Sequence, residues 1–281
     1  MTNAIEIKDL TKNYGDFKLD HIDLTLPTGY IMGFIGENGA GKTTTIKGML
    51  GLINPDAGEV SLLGTQFDPR DKGAREYIGV VLDQSGFPEE MTLRDIDRIM
   101  GSCYRTWQEK TFHAYAERFN LPEKKKIKEY SKGMKMKLSI AVALSHDSRL
   151  LILDEPTGGL DPIVREEILD IFLEFIQEED HSIFLSSHIL SDLEKICDYI
   201  TFIHEGRIIF SESKDALLER YGVLKCRPEE LNGIDDAAVA GVRKSQFGVE
   251  ALVERRKIPG GFTVDDASIE DIMVFFVKEK K

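Results

Sequence analysis

The chain has 281 residues, a formal net charge of −13, 42% hydrophobic residues and 30% charged residues. This length can bury a full core as one large domain or two, and the composition is ordinary for a globular protein. The negative charge argues against a protein that binds nucleic acid through a broad basic surface, so we expect no nucleic-acid partner.

The sequence predicts neither a membrane span nor secretion. No uncharged apolar stretch approaches the roughly 20 residues that a membrane-crossing helix needs. Residues 1–6 contain neither a basic segment nor an apolar segment, so we predict no signal peptide. The three cysteines, Cys103, Cys197 and Cys226, are scattered. They form no metal-binding spacing and no disulfide framework, which suits a reducing cytosol.

The first predicted elements are two strands, residues 4–10 and 19–26, joined by a turn over 11–17 that exposes Tyr14. The second strand alternates apolar and polar residues with period two, which is typical of a half-buried strand. Because both strands precede the core described next, we expect them to form an antiparallel β subdomain beside it.

A glycine-rich loop follows and matches the pattern G-x-x-x-x-G-K-[ST] with Gly36, Glu37, Asn38, Gly39, Ala40, Gly41, Lys42, Thr43 and Thr44. The apolar run 30–35 before it predicts a buried strand, and residues 43–50 predict a helix. The glycines let backbone N–H groups point at phosphate oxygens, and the helix N-terminus adds partial positive charge. We therefore expect Lys42 to reach the β- and γ-phosphates and the Thr43 hydroxyl to bind Mg²⁺. A plain connecting turn has no use for this Lys-Thr pair.

A helical subdomain is predicted at about residues 85–147, after a buried strand over 77–82. Helix formers dominate from residue 92 to 119, where Thr92 and Asp95 are spaced as a capping box. The charge run within this subdomain, 123–129, is typical of a solvated face.

A second strong helix begins at the segment 130–134, where Ser131 can cap it. Its apolar spacing indicates that Met134 and Met136 pack against the core rather than contact a cofactor.

Two carboxylates follow the next apolar strand. Residues 150–153 are all apolar and lead directly into Asp154 and Glu155. In a parallel sheet, the carboxyl end of a strand faces the ligand crevice. An isolated Asp-Glu pair is usually just solvated, but behind a phosphate loop it predicts chemistry. Asp154 would hold Mg²⁺ through water, and Glu155 would polarise the attacking water.

The remainder of the core is predicted as a helix over 162–179, a strand over 182–186 that ends near His188, and a hairpin over 199–210. Residues 1–221 are therefore one predicted domain. Residues 222–281 are predicted as a small appended α+β unit without catalytic residues, which ends in an amphipathic helix over 268–276. The expected fold class is α/β.

The order of these motifs resembles the nucleotide-binding subunits of ABC transporters over about residues 3–215. The resemblance implies a P-loop NTPase core. It makes Tyr14 an adenine-stacking aromatic, and Gln84 the Q-loop glutamine that senses Mg²⁺ and the permease. It also makes His188 the switch histidine at the γ-phosphate, and Gly159-Leu160-Asp161 the D-loop.

In that resemblance, residues 130–134 occupy the place of the family's L-S-G-G-Q segment. Ser131 and Gly133 remain, whereas Lys132 and Met134 replace a glycine and the glutamine. In the family this segment completes the site of a partner subunit in a head-to-tail dimer. The resemblance therefore implies that one chain holds half of each ATP site.

The resemblance further implies ATP and Mg²⁺ as ligands, a separate transmembrane permease, and a position on the cytoplasmic face of the membrane. Residues 130–168 and the C-terminal unit look most like bacterial ABC-2-type exporter subunits for amphipathic peptides, antimicrobial peptides or drugs, although importer subunits share the core. An ABC ATPase acting on ribosomes or DNA is the alternative. A P-loop kinase or GTPase fits less well, because the sequence lacks an Asn-Lys-x-Asp motif.

Overall fold

The computed structural model describes residues 2–83, 86–231, 233–245 and 248–277. The strands are β1 (Asn3–Asn13), β2 (Lys18–Pro27), β3 (Ile31–Ile35), β4 (Ala57–Leu62), β5 (Thr65–Gln66), β6 (Ile78–Val81), β7 (Leu150–Asp154), β8 (Ser182–Ser187), β9 (Tyr199–His204), β10 (Arg207–Ser213), β11 (Tyr221–Cys226), β12 (Val239–Ser245), β13 (Gly248–Glu254) and β14 (Val264–Asp266). The α-helices are α1 (Lys42–Met49), α2 (Lys72–Arg75), α3 (Leu93–Cys103), α4 (Glu109–Arg118), α5 (Lys132–Ala143), α6 (Pro162–Phe175), α7 (Leu190–Ile196), α8 (Lys214–Arg220), α9 (Pro228–Leu231) and α10 (Ile269–Val277).

The main sheet has the strand order β10-β9-β3-β8-β7-β6. All neighbouring pairs are parallel except β10 with β9. Along β3, Ile31 and Ile35 pack into a core shared with α5, α6 and α7, whereas Met32 and Phe34 pack into a core shared with α1, β1 and β2. Both faces of the sheet are covered, which explains why its strands are continuous apolar runs.

The antiparallel subdomain predicted from the two early strands is confirmed. Its sheet has the order β2-β1-β4-β5, and β1 pairs antiparallel with both β2 and β4. The turn between β1 and β2 is shorter than predicted, because Asn13 still pairs with Lys18 across the hairpin. Tyr14 therefore lies directly after the end of β1.

The helical stretch predicted over 92–119 consists of two helices, α3 and α4. The backbone breaks at Tyr104, and the carboxylate of Glu76 holds the next residues by accepting hydrogen bonds from the backbone N–H groups of Arg105 and Thr106. Burial raises the pKa of Glu76, but these hydrogen bonds outweigh burial and leave the pKa below its usual value. The predicted capping box of Thr92 and Asp95 is confirmed.

The charge run 123–129 is mostly exposed, but it is anchored by the buried side chain of Ile127. Lys126 and Lys128 both bind Glu90, and these two ammonium groups lower the pKa of that carboxyl to about 2. The later helix predicted over 162–179 ends earlier, at Phe175, where the ring of His181 hydrogen-bonds to the Phe175 carbonyl.

Residues from Tyr221 onward form the third sheet, of order β12-β13-β11-β14, with α10 as the predicted final helix. Helix α10 packs against β12, β13 and α7. The backbone N–H of Ile269 donates to the Glu194 carboxylate at 3.1 Å, and the ring of Phe276 lies 5.5 Å from that of Phe210. The third sheet is thus tied to the core through α10, and also through α8, which contacts β11. Among all the described helices, none combines the length and apolar character needed to span a membrane.

Candidate active site

The glycine-rich loop joins β3 to α1, as its sequence predicts. Gly39 and Gly41 have φ values of 85° and 116°, a region that favours glycine. At Gly36 an ideal Cβ would lie 2.5 Å from the carbonyl oxygen of Ile203. The loop therefore needs glycine at these positions for backbone reasons alone, and its curled shape leaves room for a phosphate chain above α1.

Lys42 is the first residue of α1, and its side chain is only 6% exposed. Its ammonium donates hydrogen bonds to the carbonyl oxygens of Gly36, at 2.7 Å, and Glu37, at 3.3 Å. The same nitrogen lies 3.5 Å from Oε1 of Glu155. The cation is thus folded back over the loop, between the loop carbonyls and a carboxylate.

Asp154, at the end of β7, is 1% exposed and accepts two hydroxyl hydrogen bonds. The Thr43 hydroxyl donates to Oδ2 at 2.9 Å, and the Ser186 hydroxyl donates to Oδ1 at 2.6 Å. A buried carboxylate beside a hydroxyl is the oxygen-rich donor set that Mg²⁺ prefers, so these residues fit that ion. Ser186 was missed by the sequence analysis. The signal that could have found it is a pair of serines ending the apolar strand next to β7.

Glu155 and His188 follow neighbouring parallel strands and meet in space. Nδ1 of His188 lies 2.6 Å from Oε2 of Glu155, and the two residues come from the ends of β7 and β8. Glu155 has a φ of 52°, uncommon for a residue with a side chain, and its N–H donates to the carbonyl of Ser186 at 3.1 Å. Such strain persists where the surroundings enforce it and is concentrated at functional sites.

The glycine-rich loop, Glu155 and His188 line one open cavity of about 660 Å³. Its walls include Lys42, Thr43, Glu155, His188, Asp83 and Lys132. A larger cavity of about 770 Å³ lies in the helical insert around Asp97, Trp107 and His113, away from the glycine-rich loop. We assign the site to the smaller cavity because the glycine-rich loop, Lys42 and Glu155 line it.

The remaining predicted site residues fall into four groups. Asn38, Gly39, Gly41 and Thr44 line the cavity, and Ala40 is buried beneath the loop. Tyr14 is 53% exposed and lies outside the cavity lining, in which Phe17 is the aromatic residue of the same hairpin. Gln84, predicted as a metal and catalytic residue, lies outside the described residues.

Ser131, Gly133 and Asp161 are placed on the helical insert and the start of α6. Ser131 caps α5 by accepting from the Met134 N–H at 3.2 Å, as predicted, and Asp161 caps α6 by accepting from the Val164 N–H. Gly133 packs beside Leu160. Of the part of the chain that the structure covers, the cavity lining includes none of these three predicted site residues.

Comparison with known proteins agrees with this geometry. The ABC transporter family model matches residues 19–158. The bacitracin transport ATP-binding protein BcrA of Bacillus licheniformis is 39% identical over 223 residues, which are 78% of this chain and 73% of that protein. The lantibiotic transport ATP-binding protein SrtF of Streptococcus pyogenes is 34% identical, over 75% of this chain and 91% of that protein.

Solved structures extend the agreement to three dimensions. An ATP-binding subunit of an ABC transporter superposes with a TM-score of 0.70 at 30% identity, over 76% of this chain and 91% of that one. A dimeric ATP-binding cassette bound to ADP and phosphate has the same fold, with a TM-score of 0.67 at 21% identity over 74% of this chain and 98% of that one.

The chain therefore belongs to the ATP-binding proteins of ABC transporters. It is a nucleotide-binding ATPase of the class whose ATP hydrolysis is coupled to transport, and the family assignment favours that function over the ribosome-acting or DNA-acting alternative.

Proposed function

We propose that this chain binds Mg²⁺-ATP at the cavity above α1 and hydrolyses it to drive peptide export through a separate permease. The observation that carries the proposal is the 2.6 Å contact between Glu155 and His188 beside the Lys42 ammonium. The relatives named for bacitracin and lantibiotic transport support an amphipathic or antimicrobial peptide as the cargo, with drugs as the related class.

Lys42 and the loop bind the phosphates. The Lys42 ammonium, which donates hydrogen bonds to two loop carbonyls in the free chain, would turn to the β- and γ-phosphate oxygens. The N–H groups of the loop would bind the remaining phosphate oxygens. The loop residues assigned to this role are Gly36, Asn38, Gly39, Ala40, Gly41 and Thr44. Tyr14 is assigned to the adenine ring.

Thr43, Asp154 and Gln84 would hold the metal ion. The Thr43 hydroxyl and the Asp154 carboxylate are already 2.9 Å apart, so one cation can reach both groups. Bound Mg²⁺ would offset negative charge on the phosphate oxygens. Ser186 keeps the buried Asp154 carboxylate oriented through its 2.6 Å hydrogen bond.

Glu155 orients and polarises the attacking water. The water oxygen forms a bond to the γ-phosphorus as one water proton passes to the Glu155 carboxylate, and the bond from that phosphorus to the β–γ bridging oxygen breaks, so that its electron pair leaves with ADP. His188 now holds the Glu155 carboxylate and would contact the γ-phosphate once ATP is present. Catalysis therefore depends on positioning and on charge neutralisation rather than on a covalent intermediate.

Ser131, Gly133 and Asp161 are assigned to the site of a second ATPase subunit in a head-to-tail dimer. Support comes from their position, since all three are described and none lines the cavity of its own chain. The dimer partner is either an identical chain or a related one, and ATP holds the two together until hydrolysis releases them.

The permease would dock on the helical insert, between residues 84 and 130, and hold the ATPase at the cytoplasmic face of the membrane. Purification from detergent-solubilised membranes should recover a multi-spanning partner. Recovery of ribosomes instead would contradict the transport function.

Glu155→Gln tests the mechanism. It preserves the shape of the side chain but removes the charge that polarises water, so turnover should fall below detection while an ATP-bound dimer accumulates. Phosphate release and size-exclusion chromatography with ATP measure the two effects. Glu178→Gln, at an exposed position after α6, is the matched control and should behave as wild type. Hydrolysis near the wild-type rate in Glu155→Gln would exclude Glu155 as the base.

A further inference from the structure

Two helices of the insert bring three metal-binding side chains together, away from the ATP cavity. Asp97 is on α3, and Glu109 and His113 lie four residues apart on α4, so they share one face of that helix. The ligand atoms of the three side chains all lie within 4.8 Å of one another. All three residues line the cavity of about 770 Å³ in the insert, so an ion can reach them from solvent.

This group differs from a simple pair of a histidine and a carboxylate. His188 and Glu155 also meet, but they meet as two residues. Among the residues that the structure describes, one group brings three histidine or carboxylate ligand atoms this close together, and it consists of Asp97, Glu109 and His113. Two side chains can form a salt bridge, whereas three converging ligands define a position for an ion.

The side chain of Asp97 is held in place by Trp107. The indole N–H donates to Oδ1 of Asp97 at 2.9 Å, whereas Oδ2 lies 3.3 Å from Nε2 of His113. The indole is itself fixed, because its ring lies 5.2 Å from the buried ring of Phe112 and an ideal Cβ at Gly101 would lie 3.3 Å from its Cδ1. Hydrogen bonds to the outer atom of a metal ligand orient the ligand in this way.

The donor set of this group suits Zn²⁺. One imidazole nitrogen and two carboxylate oxygens are ligands that Zn²⁺ accepts, and the two carboxylates balance its charge. At metal–ligand distances of about 2.1 Å, tetrahedral ligands are about 3.4 Å apart, so the side chains must close in slightly. Glu109 is exposed and free to rotate inward. Three cations also line the cavity, but all are exposed and their repulsion is screened by water: Arg94, Arg98 and Lys124.

We propose that Asp97, Glu109 and His113 form a Zn²⁺ site that ties α3 to α4 in the helical insert. Each side chain provides one ligand atom, and a water molecule takes the fourth position. Because the ligands come from both helices, the bound ion holds the two helices in one relative arrangement. The site shares no residue with the ATP cavity, so the inference stands apart from the proposed function.

Titration of the full, nucleotide-free chain with Zn²⁺ in excess Mg²⁺ tests the site by calorimetry, and Co²⁺ provides a visible absorption spectrum that reports four-coordination. Binding should raise the midpoint of thermal unfolding, since the ion binds the folded state. His113→Ala should weaken Zn²⁺ binding about 100-fold, and Trp107→Phe, which removes only the hydrogen bond to Asp97, about tenfold. Glu109→Gln is a second ligand variant at an exposed position and should weaken binding strongly without disturbing the fold.

Two control variants separate this site from other groups that attract Zn²⁺. Cys103→Ser removes an exposed thiol at the end of α3 that is outside the cavity lining, and His188→Ala removes the histidine of the ATP cavity. Both variants should keep the Zn²⁺ binding, the Co²⁺ spectrum and the stabilisation that His113→Ala loses.

Three outcomes would overturn the proposal. One is a wild-type chain that binds no Zn²⁺, and another is unchanged binding in both His113→Ala and Glu109→Gln. The third is binding that His188→Ala or Cys103→Ser abolishes and His113→Ala retains, because the ion would then lie elsewhere. Hydrolysis of ATP by the wild-type chain is measured separately, so failure of the Zn²⁺ site leaves the proposed function intact.

Discussion

The main sheet and the C-terminal sheet are both built from apolar strands, but they use polar side chains differently. Strands β3, β7 and β8 run parallel, so the residues that follow them meet at one edge: the glycine-rich loop, Glu155 and His188. Strands β11, β12 and β13 pair antiparallel, so their carboxyl ends alternate between opposite edges.

In the C-terminal sheet a charged side chain hydrogen-bonds to the backbone instead of contributing to a site. The guanidinium of Arg255 donates to the carbonyl oxygens of Tyr221, Val264 and Asp265, and so fastens β11 to β14. Strand direction, more than composition, therefore decides whether a sheet gathers reactive groups. We predict that substitutions in the two regions separate activity from stability.

Among the substitutions that test this difference between the two sheets, Lys42→Ala should have the largest effect, a loss of ATP hydrolysis. Loss of the ammonium removes a preorganised charge on the phosphates, so ATP hydrolysis should fall about 100- to 1000-fold. Thermal unfolding should show that both regions remain folded. Lys47→Ala, at an exposed position of α1, should retain full activity. If Lys42→Ala turned over ATP normally, the loop would not be the phosphate site.

Gly241→Ala should have the next largest effect, and on stability rather than activity. An ideal Cβ at Gly241 would lie 2.2 Å from the carbonyl oxygen of Phe275, so α10 must shift away from β12. Overpacking of this kind should cost about 2 kcal/mol of unfolding free energy. Chemical denaturation measures the loss.

The control for this substitution is Gly260→Ala, because no heavy atom lies within 4 Å of an ideal Cβ there. KM for ATP should stay within about twofold in both glycine variants, since additivity holds for distant sites. A large rise of KM in Gly241→Ala would mean that the C-terminal sheet shapes the ATP site after all.

Tyr14→Ala should have the smallest effect. Loss of a stacking ring should weaken ATP binding about fivefold, and Tyr14→Phe should bind as wild type. Fluorescence titration with ATP measures both. Phe17 lines the cavity and is the alternative stacking residue. If Phe17→Ala weakens binding and Tyr14→Ala does not, the adenine ring stacks on Phe17.

Local patterns predicted much of the fold, because each depends on residues close in sequence. The capping box at Thr92, the cap at Ser131 and the final helix were predicted correctly for this reason. The break between α3 and α4 was not, since it is held by Glu76, far away along the chain. The roles given to the site residues remain predictions, although the structure brings Lys42, Asp154, Glu155 and His188 together at one edge.

Sequence spacing alone predicts the glycine-rich loop, the carboxylates after β7 and the order of the motifs, because spacing within one strand-loop-helix unit fixes local geometry. Which of these groups meet depends instead on how the strands pair. Parallel pairing of β7 with β8 places Ser186 on Asp154 and His188 on Glu155, contacts between residues more than thirty positions apart. Tertiary packing likewise carried Lys132 to Asp83 at the rim of the cavity. Such contacts depend on how strands and helices stack, which no local pattern encodes.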